Sequence, residues 1–100
     1  MHSHVSDLVI SLAGRDRDGV FLVLREEEDF LWLANGRGRR AEKPKRKKRK
    51  HTAFAGHCDA RTREKLLGTG RLTNSDIRKA LSIWAGDNQN TDQRGESEHG

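Results

Sequence analysis

Half of the positive charge of this chain is confined to fourteen consecutive residues, Arg37 to Lys50, and that run limits what the rest can fold into. It holds ten Lys/Arg against one acid, Glu42, for a net charge of +9. Ala41 and Pro44 are its only side chains with no polar group apart from Gly38, so it has no face to give to a core. A core must therefore be assembled from the residues on either side. Those 86 residues carry ten Lys/Arg and fourteen acids, a net charge of −4. The chain reads as a mildly acidic body bearing one intense cationic segment. Self-repulsion in such a segment is relieved most simply by a polyanion.

The body is small. One hundred residues, 32% apolar and 5% aromatic, support one domain with a modest core. That suits a compact barrel better than a deep catalytic cleft. No apolar run approaches the roughly 20 residues that span a bilayer. The start, Met1-His2-Ser3-His4, has neither the cationic nor the apolar region of an export signal. A single cysteine, Cys58, cannot form an internal disulfide, which fits a reducing compartment. The expectation is a soluble, basic, cytoplasmic protein, monomeric when free and not attached to a membrane.

Before the cationic run the pattern is β. Val5 to Leu12 reads as a strand, with Leu8, Ile10 and Leu12 on one face and Val5 and Val9 on the other. Residues 13–19 form a turn or short loop punctuated by Gly14 and Gly19. Val20-Phe21-Leu22-Val23-Leu24 is continuously apolar, which marks a central strand covered on both faces. Arg25-Glu26-Glu27-Glu28-Asp29 is a polar connection, and Phe30 to Ala34 a third strand closed by the turn dipeptide Asn35-Gly36. Residues 37–42 suggest a cationic edge strand interrupted at Pro44, and Lys45 to Lys50 an extended, solvated arm. His51 to Ala55 is a short last strand anchored by Phe54.

After it the pattern is helical. Ala60 to Leu67 is a weak helix stopped by Gly68 or Gly70. Thr73 and Asp76 have capping-box spacing, and Ile77, Ala80, Leu81 and Trp84 make one apolar stripe before Gly86 ends the helix. Residues 87–100 contain no apolar side chain and are expected to be a disordered tail. The expected division is a barrel over 5–58 that includes the arm 37–50, a helical appendix over 59–86, and the tail 87–100.

The order of these segments resembles a known family. Ser11 to Leu24, with Gly14-Arg15-Asp16-Arg17-Asp18-Gly19 at its centre, resembles the KOW motif, a strand–loop–strand unit of ribosomal proteins and transcription elongation factors. Leu33-Ala34-Asn35-Gly36-Arg37, then Glu42-Lys43-Pro44-Lys45 running into basic residues and His51, resembles the stand-alone bacterial KOW-domain RNA-binding proteins. These are related to large-subunit ribosomal proteins of archaeal and eukaryotic type. Leu72 to Leu81 is similar to their C-terminal helix. The resemblance spans residues 5–85 and implies an all-β, small SH3-like barrel of KOW type with short C-terminal helices, binding RNA, ribosomal RNA above all, on or near the ribosome. One position departs from it: the loop glycine that usually follows the basic residue is Asp18 here, and Gly19 comes next.

The candidate RNA-binding residues are Arg37, Arg39, Arg40, Lys43, Lys45, Arg46, Lys47, Lys48, Arg49 and Lys50, with Arg15 and Arg17 as secondary contacts. Each phosphate that a Lys or Arg neutralises releases condensed counterions, and arginine adds bidentate phosphate contacts and base stacking. An A-form duplex is read mainly through shape and backbone, which a cationic arm suits. The bland readings are a nuclear import signal, carried by Pro44 to Lys50, or nonspecific affinity for DNA or anionic lipid. For Arg15 and Arg17 the bland reading is a structural turn paired with its own aspartates. Phe30 and Trp32 are read as core residues rather than stacking surfaces, and Trp84 as a packing residue. His51, His57 and Cys58 fall short of a zinc set, which draws four ligands, usually with paired cysteines. Arg61 and Arg63 near Cys58 would lower its pKa slightly. Glu26 to Asp29 read as a solvated turn. No nucleophile, base and oxyanion arrangement stands out, and no cofactor is implied. The alternative function is a transcription-associated protein-interaction module whose arm touches nucleic acid nonspecifically.

Overall fold

The computed structural model describes residues 3–97, and side chains within residues 3–86. Five strands, β1 (Asp7–Ser11), β2 (Val20–Glu26), β3 (Phe30–Ala34), β4 (Lys45–Lys48) and β5 (Thr52–His57), form one antiparallel sheet in the order β4-β3-β2-β1-β5. Two helices follow, α1 (Ala60–Thr69) and α2 (Asn74–Ser97). The architecture is thus a mix of sheet and helix rather than all-β.

The continuous apolar run became the middle strand of the five, and both of its faces are buried. On one face Leu22 joins Leu8, Ala34, Leu66, Leu72 and Ile77, so the helices cover this side. On the other, Phe21 and Val23 join Val9, Leu31 and Leu33, a cluster that contains no helical residue. These five side chains are at most 3% exposed, so the sheet itself must curl around them. The connection between the two edge strands requires the same curvature. A flat five-stranded sheet holds its edges about 19 Å apart, at about 4.8 Å per strand step. Lys48 at the end of β4 and Thr52 at the start of β5 are joined only by the 3-10 turn Arg49–His51, a link that spans at most about 14 Å.

Several expectations shift by a few residues. The first strand starts at Asp7, after a turn at Val5-Ser6. The turn breaks the alternation, so Val5 packs with the helix-side cluster rather than with Val9, and Leu12 is exposed beyond the strand end. The fourth strand is Lys45–Lys48 rather than 37–42, because residues 35–44 make a loop that folds back on α2. The last strand runs on to His57.

Side-chain and glycine caps hold the helix ends. Asp59 accepts from the backbone N–H of Thr62 (3.1 Å) and from its hydroxyl (2.8 Å), and Gly70 closes α1 in the left-handed conformation. Thr73 and Asp76 make the reciprocal box: Thr73 Oγ1 accepts from Asp76 N at 3.0 Å, and Asp76 Oδ2 from Thr73 N at 2.9 Å. Ile77 and Ala80 of the stripe are fully buried, and Leu81 and Trp84 pack beside them on the helix-side cluster. The helical backbone of α2 continues past Gly86 to Ser97. One internal glycine costs only about 1 kcal/mol against alanine, too little to stop a helix by itself. The side chains of the segment expected as a tail, 87–100, lie outside the described residues.

Asp76 also accepts from Lys65 Nζ at 2.8 Å, which ties α1 to α2. The lysine hydrogen bond, followed by the Thr73 backbone N–H, lowers its pKa to about 2. A carboxyl depressed by folding stabilises above its unfolded pKa and loses that contribution as pH falls through the folded value. Asp76→Ala should therefore cost about 1 kcal/mol at neutral pH, the usual worth of a cap. The gap to wild type should close as pH falls from about 4 to about 2. Urea melts of both proteins at the two ends of this range check it.

Candidate nucleic-acid interface

The expected arm is a strand. Lys45, Arg46, Lys47 and Lys48 pair with Leu33, Trp32, Leu31 and Phe30 of β3. Alternation sends Lys45 and Lys47 to the face of Leu33 and Leu31, and Arg46 and Lys48 to the face of Trp32 and Phe30. Four cations in a row thus acquire different surroundings.

Lys47 enters the curled interior side beside Leu31. It is 9% exposed, and its ammonium donates to the carbonyl of Ala13 at 2.9 Å, fastening β4 to the β1–β2 loop. Arg49 is equally committed. Its guanidinium donates to the Glu26 carboxylate (2.7 Å) and to the backbone carbonyls of Glu27 (2.8 Å), Glu28 (2.8 Å) and Ser3. Its side chain is 18% exposed. These two residues, expected to hold RNA, hold the protein together instead. Burial of one and four hydrogen bonds from the other commit both to the fold.

The acidic turn explains part of this. Glu26 pairs with Arg49, and Glu27 with Arg46 at 3.0 Å. The Arg49 hydrogen bond holds the Glu26 carboxyl below its ordinary pKa, and Arg46 does the same for Glu27. The turn expected to be merely solvated is the counter-charge for one end of the cationic strand. Two further arginines of the candidate set are paired. Arg39 reaches Asp16 at 3.1 Å, and Arg40 reaches Glu42 at 3.1 Å. Asp16 thus pairs with a distant arginine across two loops, not with its neighbours Arg15 and Arg17.

Among the described residues, Arg15, Arg17, Arg37, Lys43, Lys45, Lys48 and Lys50 have no ion pair. All but Lys45 are exposed. They come from two stretches of chain that the Arg39–Asp16 pair and the Lys47–Ala13 hydrogen bond draw together. The β1–β2 loop carrying Arg15 and Arg17 is tight. Asp18 N donates to Ser11 O and Gly19 N to Asp16 O, at 2.8 and 2.9 Å. Asp18 holds φ +71°, a left-handed backbone that aspartate tolerates better than most residues.

The 35–44 loop is seated on the start of α2. Asn35 Oδ1 accepts from the N–H groups of Arg37 (2.9 Å) and Arg39 (3.0 Å). Asn74 Oδ1 accepts from Ala41 N at 2.7 Å, and the Asn74 amide donates to Glu42. Arg78 donates to Gly36 O at 2.7 Å. Arg37 and Lys43 are therefore carried by a loop with a fixed floor.

Phe30 and Trp32 belong to neither buried cluster, contrary to the reading that made them core. They lie on the helix-side face of the sheet and are half-buried. The Arg46 guanidinium covers the Phe30 ring at 3.6 Å from its centroid, and Arg25 stands 5.4 Å from that of Trp32. Sequence reasoning weighs Phe30 and Trp32 as stacking surfaces, sets them aside for the core and does not single out Arg25, whose pairing with Trp32 across β2 and β3 is a matter of register.

The His51, His57 and Cys58 set does not converge on a site. His57 Nδ1 lies 3.0 Å from Asp7 Oδ1, and Cys58 Sγ donates to the Asp59 carbonyl at 3.4 Å. Burial, then the Asp59 charge, raises the Cys58 pKa, the opposite of the lowering expected from nearby arginines. No helix among the described residues is long and apolar enough to cross a membrane. No family model matches the chain, and no curated protein matches it in sequence.

Proposed function

We propose that the protein is a noncatalytic RNA-binding protein of KOW type that binds structured ribosomal RNA on or near the ribosome, in the cytoplasm. The observation that carries this reading is the display of unpaired cations on a rigid frame. Arg15, Arg17, Arg37 and Lys43 sit on two interlocked loops, and Lys48 and Lys50 continue the run along the sheet edge. Cations carried on hydrogen-bonded loops and a strand suit phosphates, because little loop freedom is lost on binding. The three-residue link between the edge strands supports a barrel of SH3-like form. The tight loop from Ser11 to Gly19 is in keeping with the KOW resemblance.

The test is salt dependence on a structured RNA. By analogy with a slope of about −0.9 per phosphate on duplex DNA, six such cations give log K against log salt a slope of about −5. A filter-binding titration that returned a slope near −1 would dismiss this surface as the contact.

A further inference from the structure

A cleft of about 690 Å³ opens where β3, the Arg49–His51 turn and the start of β5 meet. Phe30 and Phe54 line it together with Lys48, Lys50, Glu28 and Asp29, and Arg49 N donates to Asp29 O at 2.9 Å beside Lys48. Its size lies within the range of small-molecule sites. Phe54, expected to anchor the last strand, is 40% exposed. Its ring is held edge-to-face against His57, with centroids 5.2 Å apart. Phe30 has one stacking neighbour, the Arg46 guanidinium, and still lines the cleft. Lys48 and Lys50 have no ion pair among the described residues.

From this combination we infer that the cleft receives a single unstacked nucleobase, so that the protein prefers RNA with a bulged or looped nucleotide to uninterrupted duplex. The inference rests on the RNA-binding reading and assigns that surface a substrate feature. The exposed Phe54 ring and the half-buried Phe30 ring offer a base the π surface it loses on leaving the helix. Lys48 and Lys50 meet the phosphates that flank it. The Glu28 and Asp29 carboxylates would repel phosphate but accept from the amino group of adenine, guanine or cytosine. The lining therefore offers acceptors for the edge of a base and cations for the phosphates that flank it. A fully paired helix has no free base to offer, and RNA is generally read at such unpaired positions.

The experiment uses the full chain and two RNA hairpins that differ only by one bulged 2-aminopurine, whose amino group suits the carboxylate acceptors. Stacking on an aromatic ring quenches its fluorescence. The bulged hairpin should bind about tenfold more tightly than the paired one, the scale of one base–aromatic stack, with quenching on binding. Phe54→Ala should abolish the preference and the quenching while binding the paired hairpin within about twofold of wild type, since the phosphate contacts lie elsewhere. Phe54→Trp, which keeps a planar ring, should retain both and guards against a folding defect in the alanine variant. Equal binding of both hairpins by wild type, or a preference that survives Phe54→Ala, overturns the cleft assignment and leaves the RNA-binding reading standing. Failure to bind either hairpin overturns both.

Discussion

Arg49→Ala should lower stability by about 3 kcal/mol, the upper range for a hydrogen-bonded charge. The guanidinium joins Ser3, Glu26, Glu27 and Glu28 in one clamp, and its loss unfastens the β2–β3 turn from the end of β4. Lys47→Ala should cost about 2 kcal/mol, since it unties the Ala13 carbonyl and leaves a gap beside Leu31. Replacing Arg15, Arg17, Arg37 and Lys43 together by serine should do the reverse. Surface changes of this kind each stay within about 0.5 kcal/mol. The salt slope for RNA should flatten by about 3–4, by analogy with duplex DNA. Urea melts and RNA titrations on the three variants read both quantities. If Arg49→Ala melts with wild type, the clamp carries no stability. If the fourfold variant binds RNA with an unchanged slope, the two loops are not the contact.

Gly36→Ala should be nearly as damaging, with a cost of at least about 2 kcal/mol, combining left-handed strain of about 1 kcal/mol with overpacking. Gly36 has φ +76°, and a Cβ there would stand 2.5 Å from the Asn74 carbonyl oxygen and 2.9 Å from Arg78 Cγ. The first is backbone and cannot swing aside. Relief requires the 35–44 loop to lift from α2, which displaces Arg37 and Lys43 as well. RNA affinity measured where the variant is still folded should therefore fall too. Gly38→Ala is the control: nothing lies within 4 Å of its Cβ position and its φ is unremarkable, so both stability and affinity should stay near wild type. A Gly36→Ala protein as stable as the control would mean that the loop is not seated as described.

What the sequence made readable follows the strength of local signals. The run Val20 to Leu24 could only be a strand covered twice, and it is the middle of the sheet. Thr73 and Asp76 announced the α2 box, and Ile77 and Ala80 its buried stripe. The cationic segment hid its own structure. Strand register shows in sequence as an alternation of apolar and polar residues, and Lys45-Arg46-Lys47-Lys48 has none, so Lys47 could not be told from Lys48. Arg49 was obscured differently. Its counter-charges are visible at Glu26 and Glu27, but it is the β3–β4 register, with Lys48 opposite Phe30, that brings the β2–β3 turn to the end of β4. A similar distance in sequence separates Phe30 from Phe54, which line one cleft across the Arg49–His51 turn.

The position of β4 has a consequence for self-association. It is an edge strand, and the main-chain groups on its outer side have no strand beside them. Such an edge invites the same edge of a second molecule, and proteins commonly blunt it with lysines. Here every residue of the strand is Lys or Arg. Two copies approaching edge to edge would bring eight cations together. That repulsion fades once a polyanion neutralises it, but a polyanion lying along the strand also occupies the space a second copy would need. The charge guards the edge when the protein is alone, and a bound polyanion would guard it once that charge is neutralised.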